Sequence, residues 1–135
     1  MENEKIFVSL ARPADPELLE WAQQFADALR SRGVEVTEEW SVADGNDASI
    51  EAGERGLRES DLIVSLLANS GATSPTFYFD YGVAIAGDKR FVTIVPVNTD
   101  IEQLPVPIRG HFVIKGSPSD TARDLLARYA ERRSA

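Results

Sequence analysis

The chain has 135 residues, 43% hydrophobic and 27% charged, the size and make-up of one globular domain rather than of a disordered or fibrous chain. A formal net charge of −8 argues against a nucleic-acid partner, which would need clustered Lys and Arg. No run approaches the ~20 apolar residues that span a bilayer, and without cysteine there are no disulfides or thiolate zinc sites.

With no cysteine to oxidise, a reducing, cytoplasmic compartment is the expectation. Glu2 and Glu4 ahead of a short apolar run do not make a secretory leader. That run, Lys5 to Leu10, is rich in β-branched and aromatic residues and predicts a buried first strand. Pro13 and Pro16 break it. Asp15 is placed as an N-cap and Pro16 as the first residue of a helix. Leu18, Ala22, Phe25, Ala26 and Leu29 recur at helical spacing and define one apolar stripe. Gly33 is suited to the left-handed residue that ends such a helix.

Val34 to Thr37 predicts a short second strand, followed by a polar stretch from Glu38 to Asn46. A second helix is expected to start near Asp47 or Ser49 and to end by Ser60, with Ile50, Gly53 and Leu57 inward. Gly53 and Gly56 inside that helix each cost about 1 kcal/mol relative to Ala, so they imply either close backbone packing or a weak helix. Leu62 to Leu67 is apolar on both faces, as central parallel strands are. Ser74 and Pro75 open a third helix running to Ala86, with Gly87 behind it. Its core stripe is read as Phe77, Tyr81, Ala84 and Ile85.

Phe91 to Val95 is the fourth strand. A proline-interrupted connection, Pro96 to Gly110, holds one short helical turn around Ile101 to Leu104. Phe112 to Ile114 is a short fifth strand, and Ser117 with Pro118 opens a last helix with Ala122, Leu125, Leu126, Tyr129 and Ala130 inward. Strands alternating with helices imply right-handed crossovers onto a parallel sheet. The expected fold is α/β, a flavodoxin-like doubly wound five-stranded parallel sheet of order 2-1-3-4-5 with helices on both faces. Ligands bind such sheets at the carboxyl ends of the strands, beside the switch point between the first and third. That rim comprises Ser9 to Arg12, Glu38 to Asn46 and Ala68 to Ser74, overhung by the start of the third helix.

No G-x-G-x-x-G or P-loop follows the first strand, which argues against dinucleotide dehydrogenases and NTPases. The single histidine, His111, sits at the start of the outer strand, away from the crevice, so it suits neither a Ser-His-Asp triad nor a histidine metal site. Carboxylates remain. Asp80, three residues after Phe77 and four before Ala84, borders the buried face of the third helix. There it is either a helix-surface residue bonded to a loop or a carboxylate aimed into the crevice. Among its rim neighbours, Ser9, Asp44 and Asn69 are candidate substrate contacts. Arg12 suits a pyrophosphate or open solvent. Trp40 suits an adenine or nicotinamide ring, a self-association anchor, or simple cover for the helices. Phe77, with Tyr78 and Phe79, suits the core and the crevice wall.

Taken in order, several segments resemble a TIR (Toll/interleukin-1 receptor-like) domain. They are the strand Lys5 to Leu10, Ala43 to Ile50 as the end of a BB loop, Leu57 to Leu67 as the turn into the third strand, and Ser74 to Lys89 as the helix that follows. The resemblance covers nearly the whole chain as one domain, 1–135. It implies one of two activities: cleavage of NAD⁺ at the nicotinamide–ribose bond, by hydrolysis or cyclisation, in bacterial antiphage signalling, or non-enzymatic assembly through the BB-like loop. In the enzymatic members a Glu on this helix contacts the ribose hydroxyls. Asp80 stands at that position, and Thr76 stands where an aromatic residue is common. The resemblance therefore implies Asp80 as the catalytic carboxylate and NAD⁺ or a related nucleotide as substrate, with no cofactor and no metal. The partner it implies is a second copy of the chain or another TIR-pathway protein, not a membrane. Nucleoside deoxyribosyltransferases share the architecture and also use a carboxylate on the corresponding helix, which leaves them as a third reading.

Overall fold

A computed structural model describes residues 4–10, 16–38, 55–67, 75–100, 102 and 111–129. The strands are β1 (Lys5–Leu10), β2 (Glu35–Glu38), β3 (Leu62–Leu66), β4 (Arg90–Val95) and β5 (Phe112–Ile114). The helices are α1 (Pro16–Arg30), a short α2 (55–59), α3 (Pro75–Ala86) and α4 (Pro118–Tyr129). All strand pairings are parallel, and the sheet order is β2-β1-β3-β4-β5, the order expected from the alternation of strands and helices. The first site segment, 11–15, lies outside the described residues, and so does Asp15 as an N-cap.

Period-two alternation divides the three central strands between two cores. Ile6, Val8 and Leu10, with Leu62, Val64, Leu66, Val92 and Ile94, face α1 and α4. They pack against Leu18, Ala22, Phe25 and Leu29 of the α1 stripe and against Ala122 and Leu125 of α4. Phe7, Ile63, Phe91 and Val95 point the other way, to Leu57 of α2 and Ala84 of α3. The result is a three-layer sandwich in which β1 and β3 are covered on both faces, which is why their sequences carry no polar-out alternation.

The helix ends follow local chemistry. Gly33 takes a φ of +85°, the left-handed conformation reserved for it, and the Val34 amide donates to the Leu29 carbonyl at 3.3 Å across that turn. In α4 the Asp120 amide donates to Ser117 Oγ at 3.2 Å, the N-cap bond that the Ser-Pro pair promised. After α3 the left-handed residue is Asp88, with φ 55°, rather than the adjacent Gly87. The Lys89 ammonium then donates to the carbonyls of Arg58 and Ser60 and ties the end of α2 to the α3–β4 turn.

Three expectations need adjusting. Strand β2 is shifted by one residue, to Glu35–Glu38, and Glu38 is buried where a polar loop was expected. It turns toward α1, where Arg30 donates to it at 2.7 Å and Gln23 at 3.1 Å. In α3, Ile85 is 61% exposed and not part of the core stripe, because the inward face runs through Asp80 and Ala84. Gly56 does mark a close approach: a Cβ there would meet Thr37 Cγ2 at 2.6 Å and Phe7 Cδ2 at 3.1 Å. The start of the second helix, Ala130, and nearly all of the predicted turn at Ile101 to Leu104 lie outside the described residues.

Candidate functional site

Helix α3 must return the chain from the carboxyl end of β3 to the amino end of the parallel β4, so it runs antiparallel to the strands. Ala84 is buried in one cluster with Phe7, Ile63, Leu67, Phe91 and Val95 of the sheet. Asp80 lies one turn earlier on the same helix face, about 6 Å nearer the carboxyl ends. It is 2% exposed. Tyr81 beside it meets the Phe91 ring edge-on at 5.3 Å and closes the layer below. Asp80 is the one charged residue in α3, and it points inward.

The face of the sheet toward α3 changes character partway along the strands. Two residues beyond Phe7, Ile63 and Phe91, the next α3-facing row is Ser9, Ser65 and Thr93, paired Ser9 with Ser65 and Ser65 with Thr93. All three are buried, at 1%, 1% and 0% exposure, between apolar neighbours on this face, Phe7, Ile63 and Phe91 before them and Leu67 and Val95 after them. Among the described residues, none of the three hydroxyls has a hydrogen-bond partner. Three hydroxyls thus lie side by side on the face of the sheet that α3 covers, and Asp80 is buried on that helix.

Of the residues expected from the sequence, Asp80 and Ser9 are both buried, Asp80 on α3 and Ser9 on the sheet face toward it. Phe77 lies on α3 one turn before Tyr81, and its side chain lies outside the described residues. Arg12, Trp40, Asp44 and Asn69 also lie outside them. Sequence reasoning passed over Ser65 and Thr93. The available signal was a hydroxyl at the same position, three residues after the first residue of each paired segment, in three largely apolar strands: Ile6–Ser9, Leu62–Ser65 and Arg90–Thr93 read in register. His111 is exposed beside the start of β5, its ring edge-on to Tyr129 of α4 and its carbonyl accepting from the Thr93 amide at 3.1 Å. Among the described residues no group of three or more His, Cys, Asp or Glu side chains is placed to hold a metal. A groove of about 530 Å³, lined by Lys5, Glu35, Gly56 and Glu59 among others, opens at the amino end of β1 and β2, the opposite end from Asp80.

A TIR domain family model matches residues 6–127, nearly the whole chain. The chain belongs to the TIR domain family. Among solved structures the TIR domain is similar to a Clostridium botulinum CMP N-glycosidase at a TM-score of 0.62 and 19% identity, over 88% of this chain and 96% of that one. At that identity the likeness bears on the fold, and it agrees with the five-stranded doubly wound sheet. No curated protein matches the chain by sequence. No helix among the described residues is long and apolar enough to cross a membrane.

Proposed function

We propose that this TIR domain is an N-glycosidase that cleaves the nicotinamide–ribose bond of NAD⁺, with Asp80 as the carboxylate facing the reacting ribose. The observation that carries the reading is the burial of that one charged side chain of α3 at the carboxyl end of a doubly wound sheet, where such folds bind ligands. The C1′–N bond of NAD⁺ breaks with its electron pair going to nicotinamide, which leaves as a neutral base because its nitrogen was cationic. Positive charge builds on the ribosyl ring, as in glycoside hydrolysis. A fixed carboxylate in a site with little water stabilises that charge more than it stabilises the ground state. Water then adds to C1′ and releases a proton, or the adenine of the same molecule adds and closes a ring.

The chemistry of the leaving group favours NAD⁺ over the nucleotide named for the structural neighbour. Cytosine must be protonated as it leaves, which calls for a general acid beside the base. Among the described residues Asp80 is the one charged side chain of α3, and the His111 ring is turned to Tyr129 of α4, on the other side of the sheet. A cationic leaving group needs no acid, so a single carboxylate suffices. The neighbour's name nevertheless supports N-glycosidic chemistry on this architecture. In this reading Ser9 lies in the floor and Phe77 in the wall. The rim segments carrying Arg12, Trp40, Asp44 and Asn69 contact the rest of the dinucleotide. NAD⁺ enters as substrate, and the setting is antiphage signalling by a self-associating protein.

Incubating the protein with NAD⁺ at high protein concentration and following nicotinamide by chromatography tests the activity. Release that is lost in Asp80→Ala supports it, and no release at any concentration overturns it. Parallel incubations with CMP and with deoxynucleosides plus a free base separate the neighbour's reaction and base exchange from NAD⁺ cleavage.

A further inference from the structure

The row Ser9–Ser65–Thr93 is not explained by folding. Three hydroxyls are removed from water, beside one another, with no hydrogen-bond partner among the described residues. Burying a hydroxyl without a partner is unfavourable, and Ala or Val would fill these places without that cost. The same sheet face is apolar one row earlier, at Phe7, Ile63 and Phe91, and one row later, at Leu67 and Val95. It is the face covered by α3, whose buried Asp80 lies one turn nearer the carboxyl ends of the strands than Ala84. Two residues along a strand advance about 6.6 Å, and four along a helix about 6 Å, so the step from Ala84 to Asp80 matches the step from Phe91 to Thr93.

We propose that Ser9, Ser65 and Thr93 are positioning residues that hold the Asp80 carboxylate through ordered water between α3 and the sheet. Neighbouring strands lie about 4.8 Å apart. That spacing is too long for a direct hydroxyl–hydroxyl bond of about 2.8 Å, and it suits one water bonded to both. Buried waters of this kind make about three hydrogen bonds to otherwise unsatisfied groups, which two hydroxyls and a carboxylate supply. The bridge gives the carboxylate donors on its sheet side and fixes the rotamer of a side chain one methylene shorter than Glu. Its use in catalysis rests on the NAD⁺ reading above; the coupling to Asp80 does not.

The other charged groups of this sheet face, Lys5 and Asp61, lie at its amino end, two rows from Asp80, with the Lys5 amide donating to the Asp61 carboxylate at 3.2 Å. The hydroxyls are therefore the groups of β1, β3 and β4 that bear on how Asp80 titrates. Thr93→Val and Ser65→Ala, the first isosteric and the second one atom smaller, remove single hydroxyls. The Asp80 carboxyl is followed by ¹³C NMR on protein labelled at aspartate, its signal assigned by its loss in Asp80→Asn. Because donors favour the ionised form, each variant is expected to raise the Asp80 midpoint by about one pH unit, and Thr93→Ser to restore it. Where the wild type turns over NAD⁺, kcat falls about tenfold with KM unchanged, as expected for a misplaced catalytic group.

Asp80 midpoints unmoved in both variants overturn the proposal, whatever the turnover shows. So does a Thr93→Val variant with a raised melting temperature and no change in titration, since that is the mark of a hydroxyl that was never bonded. A wild type without nicotinamide release overturns the NAD⁺ reading alone, and the titration still decides this one. If Thr93→Val fails to fold, Ser65→Ala carries the test.

Discussion

Replacing Asp80 by Asn keeps the shape of the side chain and removes its charge, which isolates electrostatics from packing. The carboxylate is 2% exposed, and on its own helix there is no compensating cation. With an effective dielectric constant of about 20 and a separation of about 5 Å, a full unit charge on the ribosyl ring interacts with it by about 3 kcal/mol. Each 1.36 kcal/mol is tenfold in rate, so Asp80→Asn is expected to lower kcat by on the order of 10²-fold. The amide also costs less to desolvate than the carboxylate, which offsets the bonding that the carboxylate gives up. The expected signature is an inactive variant whose urea midpoint equals or exceeds that of the wild type. Steady-state nicotinamide release and urea unfolding, measured on the same preparations, give both numbers. An Asn variant with kcat within threefold of the wild type refutes the electrostatic role. One that loses activity and stability together would show that Asp80 is held by the fold rather than used by the site.

Gly56→Ala gains about 1 kcal/mol of helix propensity, yet its Cβ would overlap Thr37 Cγ2 at 2.6 Å and press on the buried Phe7 ring. Overpacking costs typically 1–3 kcal/mol, so a net loss of about 1 kcal/mol in urea unfolding is expected, and a stabilised variant would contradict the close approach. Gly33→Ala forces a Cβ into a φ of +85° with open space around it, so the loss of about 1 kcal/mol comes from backbone strain alone, and Gly33→Asn should recover part of it. Phe25→Ala empties a fully buried site between α1 and the sheet and is expected to cost about 3–5 kcal/mol, read as a lower thermal midpoint. Trp40→Ala should weaken concentration-dependent self-association, followed by light scattering, if the segment after β2 is the assembly surface; unchanged association with intact NAD⁺ cleavage would remove that role.

The fold was legible because its signals are local and repeat. Apolar runs of strand length alternate with 3.6-period stripes, Gly33 and the Ser117–Pro118 pair mark helix boundaries, and parallel connections leave few topologies. The position of Asp80 was legible to within a face. What periodicity could not resolve was which way that face points. With Phe77, Tyr81 and Ile85 all apolar, the stripe can be drawn on either side of Asp80, and packing against β1 and β4 chose the side that buries the carboxyl and exposes Ile85. Ser65 and Thr93 were invisible for a different reason. A Ser or Thr within an apolar strand is unremarkable until register places three of them side by side, and register is a tertiary property.

Helix α3 violates the usual pattern in both directions, and the two violations need one explanation. Its outward face carries Tyr78 and Ile85, while its only charged residue is turned inward over three buried hydroxyls. A half-turn rotation of the helix would expose the carboxylate and bury Ile85, and on desolvation alone that arrangement is better. The observed orientation buries Ala84 in the cluster of Phe7, Ile63, Leu67, Phe91 and Val95 and sets Tyr81 against the Phe91 ring. Local rules that fail together at one place, against a chain that otherwise obeys them, mark the part of a fold shaped by its ligand rather than by its stability. Here that place is the polar layer between α3 and the carboxyl ends of β1, β3 and β4. A buried carboxylate on that face is what the proposed charge stabilisation at a ribosyl cation requires.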